Sequence, residues 1–165
     1  MPQLHTYTVD LTWTGARGHG TTSYTSYGRD HEVRAGERPV LLGSSDPGFR
    51  GDPSRWAPED LLVTALSQCH MMWLLHLAAR DGVAVLGYSD RATGTMRIES
   101  AGQGQFREVV LHPRVVVGVD AALADGSPVT EDVLDRLHHE AQEHCFIMRS
   151  VNFPVRVQPT ALGRA

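Results

Sequence analysis

Two thiols in a chain of 165 residues, each beside a histidine and each tied to a helical pattern, are the residues best placed to do chemistry. Cys69 lies in Ser67-Gln68-Cys69-His70, midway along an apolar segment, and Cys145 in Glu143-His144-Cys145-Phe146, where a second helical pattern runs out. Such a pair is either a cooperating redox couple or two inert core residues, because free cysteine is among the most buried residue types. A closed zinc site would need four ligands at once. Cys69-His70 and His144-Cys145 carry suitable atoms, yet neighbours on a helix diverge by about 100°. The C-x-x-C and H-x-x-x-H spacings are also absent. Neither a metal nor a cofactor is expected.

On its helix Cys69 is flanked three and four residues away by Ala65, Leu66, Met72 and Trp73. Apolar neighbours favour the neutral thiol, and His70 points elsewhere around the helix. The helix dipole acts only within the first turn, whereas Cys69 sits eleven residues past Pro58. A reactive thiolate at Cys69 therefore needs a cation from another segment. Arginine suits an apolar site because it stays charged there. Arg17, Arg29, Arg50 and Arg55 are the candidates in the first third of the chain. A carboxylate must orient such a guanidinium, with Glu59 the nearest on the helix and Asp60 competing. Ten residues separate Glu59 from Cys69, about 15 Å along one helix. That distance, with a helix apolar nearly all round, favours a site assembled in a homodimer.

The elements that must hold these groups follow from periodicity and punctuation. Residues 5–13 alternate, with Tyr7, Val9, Leu11 and Trp13 on one side, which predicts a half-buried strand. Thr21 to Tyr27 predicts a second strand. A turn or bulge at Gly28-Arg29-Asp30-His31 leads to a short strand through Val33, and another strand is expected over Pro39 to Leu42. Residues 43–57 form a long aperiodic connection, of the kind that is functional or mobile. Pro58, with Glu59 and Asp60 behind it, opens a helix that closes at Asp81-Gly82, roughly 35 Å long. Val83 to Glu99 and Phe106 to Val119 predict strands joined across Ala101-Gly102-Gln103-Gly104, with Pro113 at an edge or bulge. Thr130 caps a second helix with Val133, Leu134, Leu137 and Ala141 as its buried stripe and His138, His139 and His144 toward its end. Val151 to Gln158 supplies a last strand. The order is that of an α+β chain forming a single domain over residues 1–165.

Bulk properties narrow the partners. With 41% hydrophobic and 21% charged residues and a net charge of −4, the composition is that of a globular protein. The basic residues do not cluster, so nucleic-acid binding is not expected. The start, Met1-Pro2-Gln3-Leu4-His5, lacks a basic and apolar leader, and the longest apolar run of the first long segment, Met71 to Leu75, is too short to span a bilayer. A cytoplasmic setting with no membrane partner is the expectation. There a cysteine pair is more often catalytic or redox-sensing than a staple.

Asp52-Pro53-Ser54-Arg55-Trp56-Ala57-Pro58-Glu59-Asp60-Leu61-Leu62, leading into Ala65-Leu66-Ser67-Gln68-Cys69-His70, is one signature. His144-Cys145-Phe146-Ile147 followed by Asn152-Phe153-Pro154-Val155 is another. In this order, from Trp13 to Pro159, the chain resembles the OsmC/Ohr family of osmotically inducible and organic-hydroperoxide-resistance proteins. The resemblance implies an intertwined homodimer with antiparallel β-sheets wrapped around long central helices and two sites at the subunit interface. It implies a peroxidase: Cys69 as reactive thiol, Cys145 as resolving thiol, Glu59 as the helix-start glutamate, and Arg29, in Gly28-Arg29-Asp30, as the arginine. Implied partners are a small-molecule peroxide and a dithiol reductant, lipoyl groups in the hydroperoxidase branch. Two positions depart from the peroxidase branches, Phe146 where proline is typical and His70 where a small or aromatic residue is common, so the chain looks like a less characterised OsmC-like branch. The alternative function is a non-enzymatic dimer of the same fold that binds an apolar small molecule at its interface.

Overall fold

The computed structural model describes residues 3–100 and 102–165, so Met1, Pro2 and the expected turn residue Ala101 lie outside the described residues. The chain divides into two compact units, residues 1–61 and 62–165.

The first unit carries one antiparallel sheet in the order β1 (Asp10–Trp13), β2 (His31–Arg34), β3 (Leu41–Gly43). The expected strand over 5–13 is reduced to its last four residues, all exposed. Tyr7 and Val9, expected on its buried side, are exposed ahead of it. The expected strand over Thr21–Tyr27 is instead a run of turns and bends. Its polar groups are satisfied locally: Ser26 donates to the Gly20 carbonyl at 2.7 Å, and its hydroxyl also takes the Ser23 N–H at 3.0 Å. Local side-chain bonds of this kind outcompete a ladder whatever the β-propensity of Thr and Tyr. Within the connection 43–57, Asp46 caps a single 3-10 turn, Pro47–Phe49.

Helix α1 (Pro58–Arg80) has the expected bounds, and Gly82 just past it adopts φ of 78°. That left-handed conformation closes a helix and favours glycine. In the second unit the two long strands expected on either side of residue 101 each break in the middle. Val83–Glu99 becomes β4 (Val85–Asp90) and β5 (Thr93–Ile98), and Phe106–Val119 becomes part of β6 (Gly104–Leu111) and β7 (Pro113–Val117). Both runs change sheets at the same level, where the Asp90 carboxylate accepts from the His112 N–H at 2.7 Å and the Ser67 hydroxyl at 2.6 Å. Helix α2 (Glu131–His144) follows, with Thr130 accepting from the Val133 N–H as its cap. The last strand is β8 (Val155–Val157), shorter than expected, and β9 (Gly163–Arg164) completes the chain. The sheets are β4-β7-β9 and β5-β6-β8. Antiparallel pairs, β4 with β7 and β5 with β6, build them, and β8 and β9 add in parallel to β6 and β7.

Helix α1 serves two hydrophobic clusters in this unit. Leu66 packs with Val109 and Leu111 of β6, whereas Leu74, Leu77 and Ala78 pack with Val115, Val117 and the α2 stripe Leu134, Leu137 and Ala141. Gly94 of β5 lies so close to α1 that a Cβ there would come within 2.6 Å of Val63. By length and a mean hydropathy of 1.4 the helix could cross a bilayer, yet one face belongs to this core. On its other face Met72 is 58% and Leu75 37% exposed in the single chain.

Candidate active site

Cys69 and His70 fall between those two clusters along α1, and Cys145 is the residue that ends α2. Both cysteines are free and buried, and they lie near enough for Cys69 to act on the Cys145 thiol. Sequence spacing alone could not require that meeting of positions 76 residues apart. The two sulfurs differ in environment. Burial, reinforced by the neighbouring Cys69, pushes the Cys145 thiol up to about 12, against the opposing pull of the Met148 and Ile147 backbone N–H groups. Cys145 is fully buried, while Cys69 keeps 7% of its surface and lines a cavity of about 330 Å³ with Met72, Trp73, His76 and Phe146. Trp73 organises this wall: His144 stacks on it at 5.0 Å, and Phe146 and His76 meet it edge-on at 5.5 and 5.6 Å. The arrangement pairs one sulfur that a small apolar molecule can reach with a second sulfur held behind it.

His70 turns away from the cavity. Its Nε2 lies 2.9 Å from Nδ1 of His138, with the two rings within 9° of parallel. Both are buried, and burial pulls each imidazole down to about 4, so the pair is neutral at pH 7. The sequence reading left His138 without a partner, although a signal was present. His70 shares the spacing of Leu66, Leu74 and Leu77, and His138 that of Leu134 and Ala141, both core stripes.

The other expected residues belong to the first unit. Arg29 lies over the rings of Tyr24 and Tyr27, 4.5 and 4.2 Å from their centres, and donates to both their carbonyls. Its turn is anchored by the Trp13 indole, which donates to the Gly28 carbonyl at 2.8 Å. Asp60, the competitor of Glu59, is occupied in accepting the Ala57 N–H at 3.1 Å. Glu59 keeps a buried Oε2 without a hydrogen-bond partner, and among the described residues it forms no ion pair with Arg29. Arg55, one of the four candidate arginines, approaches Asp30 and Asp52 at 3.8 and 3.7 Å and keeps its own buried Nη1 without a partner. Arg17 and Arg50 are exposed and adopt positive φ.

Residues 51–160, more than half of the chain, match the model of the OsmC-like protein family. The chain belongs to that family. Solved structures agree in fold. An OsmC-like protein of unknown function from Vibrio cholerae is 28% identical, with a TM-score of 0.80 over 95% of this chain and 100% of its own. An organic hydroperoxide resistance protein from Elizabethkingia anophelis is 16% identical, with a TM-score of 0.69 and complete coverage of both chains. The organic hydroperoxide resistance protein OhrB of Bacillus subtilis is 15% identical, with a TM-score of 0.62 over 96% of this chain and 100% of its own. No curated protein matches. Within this OsmC-like protein, Phe146 is 67% exposed and forms part of the cavity wall beside Cys69.

Proposed function

We propose that this OsmC-like protein is a thiol-dependent peroxidase acting on organic hydroperoxides, working as a homodimer. The proximity of Cys69, open to an apolar cavity, to the fully buried Cys145 carries the reading. In this mechanism the Cys69 thiolate attacks the terminal peroxide oxygen. The O–O bond breaks, its electron pair leaves on the alkoxide, and a proton converts that to an alcohol while sulfur becomes a sulfenic acid. The Cys145 sulfur then displaces the sulfenic oxygen as water and forms a disulfide. A dithiol reductant, such as lipoyl groups, restores both thiols by exchange. Arg29 is the proposed stabiliser of the thiolate and Glu59 the carboxylate that orients it. The apolar wall of Met72, Trp73 and Phe146 favours peroxides with greasy tails over hydrogen peroxide.

Reduced protein is expected to consume cumene hydroperoxide and to lose about two daltons as one intramolecular Cys69–Cys145 disulfide forms. Cys69→Ser abolishes consumption, and Arg29→Met slows formation of the sulfenic acid. Equal, slow peroxide loss with wild type and Cys69→Ser would remove the reading. The cavity favours a second function, binding of an apolar small molecule without turnover. Alkylation of Cys69 by iodoacetamide separates the two, because a profile displaced to low pH belongs to a peroxidase.

A further inference from the structure

We infer that His70 and His138 are positioning residues for disulfide formation, forming a clamp between α1 and α2 that holds Cys145 against Cys69. In the core the two helices meet through two polar pairs, while the ion pair of Arg80 with Glu140 joins them at the surface. His138 lies 2.9 Å from His70, and seven residues on along α2 Cys145 neighbours Cys69, the residue before His70. On α2 the two contacts are seven residues apart, two turns or about 10 Å along the axis on nearly the same face. On α1 they are adjacent and about 100° apart, so they fall on different sides of that helix. Two buried pairs so placed fix the rotation of α2 on α1 more closely than the apolar contacts among Leu74, Leu134 and Leu137, or than the solvent-screened ion pair of Arg80 with Glu140. A tilt of roughly 10° about the histidine pair would swing the Cys145 end by about 2 Å over that lever. Disulfide geometry does not tolerate such an error without strain.

Among the described residues no other hydrogen bond between side chains of α1 and α2 is buried, because the ion pair of Arg80 with Glu140 is solvent-exposed. Nδ1 of His70 and Nε2 of His138 are buried without other partners, so the bond between the rings is the only one either side chain makes among the described residues. Losing one ring leaves the other with an unpaired buried nitrogen, and geometry relaxes to relieve it.

This inference rests on the thiol pair of the proposed function but not on peroxide turnover, and its test uses no peroxide. The effective concentration of Cys69 and Cys145 is measured as the equilibrium between dithiol and disulfide in glutathione buffers at pH 7. His138→Phe, which keeps a flat ring and loses the bond, is expected to lower it by about tenfold or more. His138→Gln, which can still bond His70, is expected to stay within about threefold of wild type. Alkylation of Cys69 by iodoacetamide in the Cys145→Ser background is expected to be the same with either substitution. If the Phe variant does not fold, His70→Gln and His70→Leu make the same comparison from α1. Equal effective concentrations in the bonding and non-bonding variants would overturn the clamp. Failure of the wild type to form any disulfide with glutathione would instead overturn the thiol-pair reading.

Discussion

A thiolate reacts and a thiol does not, so burial separates Cys69 from Cys145. Iodoacetamide at pH 8 is expected to label Cys69 first. Cys145, fully buried and pushed up to about 12, should label only once the protein is unfolded. Peptide mass mapping of a time course checks this, and equal labelling would show that the second sulfur is not held behind the first. At this scale the sequence was informative where a residue type is rare and poor where a partner is distant. Two thiols among 165 residues draw notice by themselves. His70 and His138 do not, because a histidine on an apolar stripe reveals its hydrogen bond only when the opposing helix is in place. The four candidate arginines could not be told apart by spacing. Side-chain surroundings separate them: Arg29 rests on two tyrosine rings, Arg55 carries a buried, unpartnered nitrogen, and Arg17 and Arg50 face solvent.

Elements whose ends carry local chemistry were legible. Pro58 and the acidic first turn place the start of α1, and Thr130 the start of α2, because caps act within a few residues. The sheet changes were not legible, since Val83–Glu99 and Phe106–Val119 read as continuous strands until Asp90 is seen taking the His112 N–H and the Ser67 hydroxyl. The join between α1 and α2 makes stability depend on pH. Burial pulls both His70 and His138 below the usual 6.5 to about 4, with His138 also depressing His70. On His138 the charges of Asp135 and Asp90 oppose that shift without reversing it. Unfolded chains therefore bind more protons than folded ones between about pH 4 and 6.5, and stability falls as pH drops through that window. Urea midpoints are expected to be level above pH 7 and to decline steadily from 6.5 to 4. The decline should be shallower in the variant carrying both His70→Gln and His138→Gln. An identical decline in that variant would assign the pH dependence to the carboxylates instead.

For the molecule as a whole, the protomer leaves apolar surface that a globular chain ordinarily covers. In the first unit Tyr7, Val9 and Leu11 are 88%, 64% and 65% exposed, and in the second Met72 and Phe146 are 58% and 67% exposed. Single exposed hydrophobics are unremarkable, but an alternating segment whose apolar residues all face water is an uncovered surface. The alternation over residues 5–13 predicts a half-buried strand, of which only the exposed Asp10–Trp13 forms in the single chain, and a covering surface cannot be read from one copy. A second copy would supply it and would explain why α1 carries apolar residues on its exposed face as well as its core face. Sedimentation equilibrium is expected to give twice the protomer mass of 18.1 kDa at micromolar concentration. Leu11→Arg with Val9→Arg, which puts two charges where apolar contact is expected, should shift the equilibrium toward the protomer by several kcal/mol per interface, in line with unpaired buried charge. Peroxide consumption should fall with the dimer fraction if the site needs both copies, and it should survive dissociation if one copy suffices. A wild type that sediments at 18.1 kDa at every concentration would assign the exposed faces to another partner and leave the thiol pair to act within a single chain.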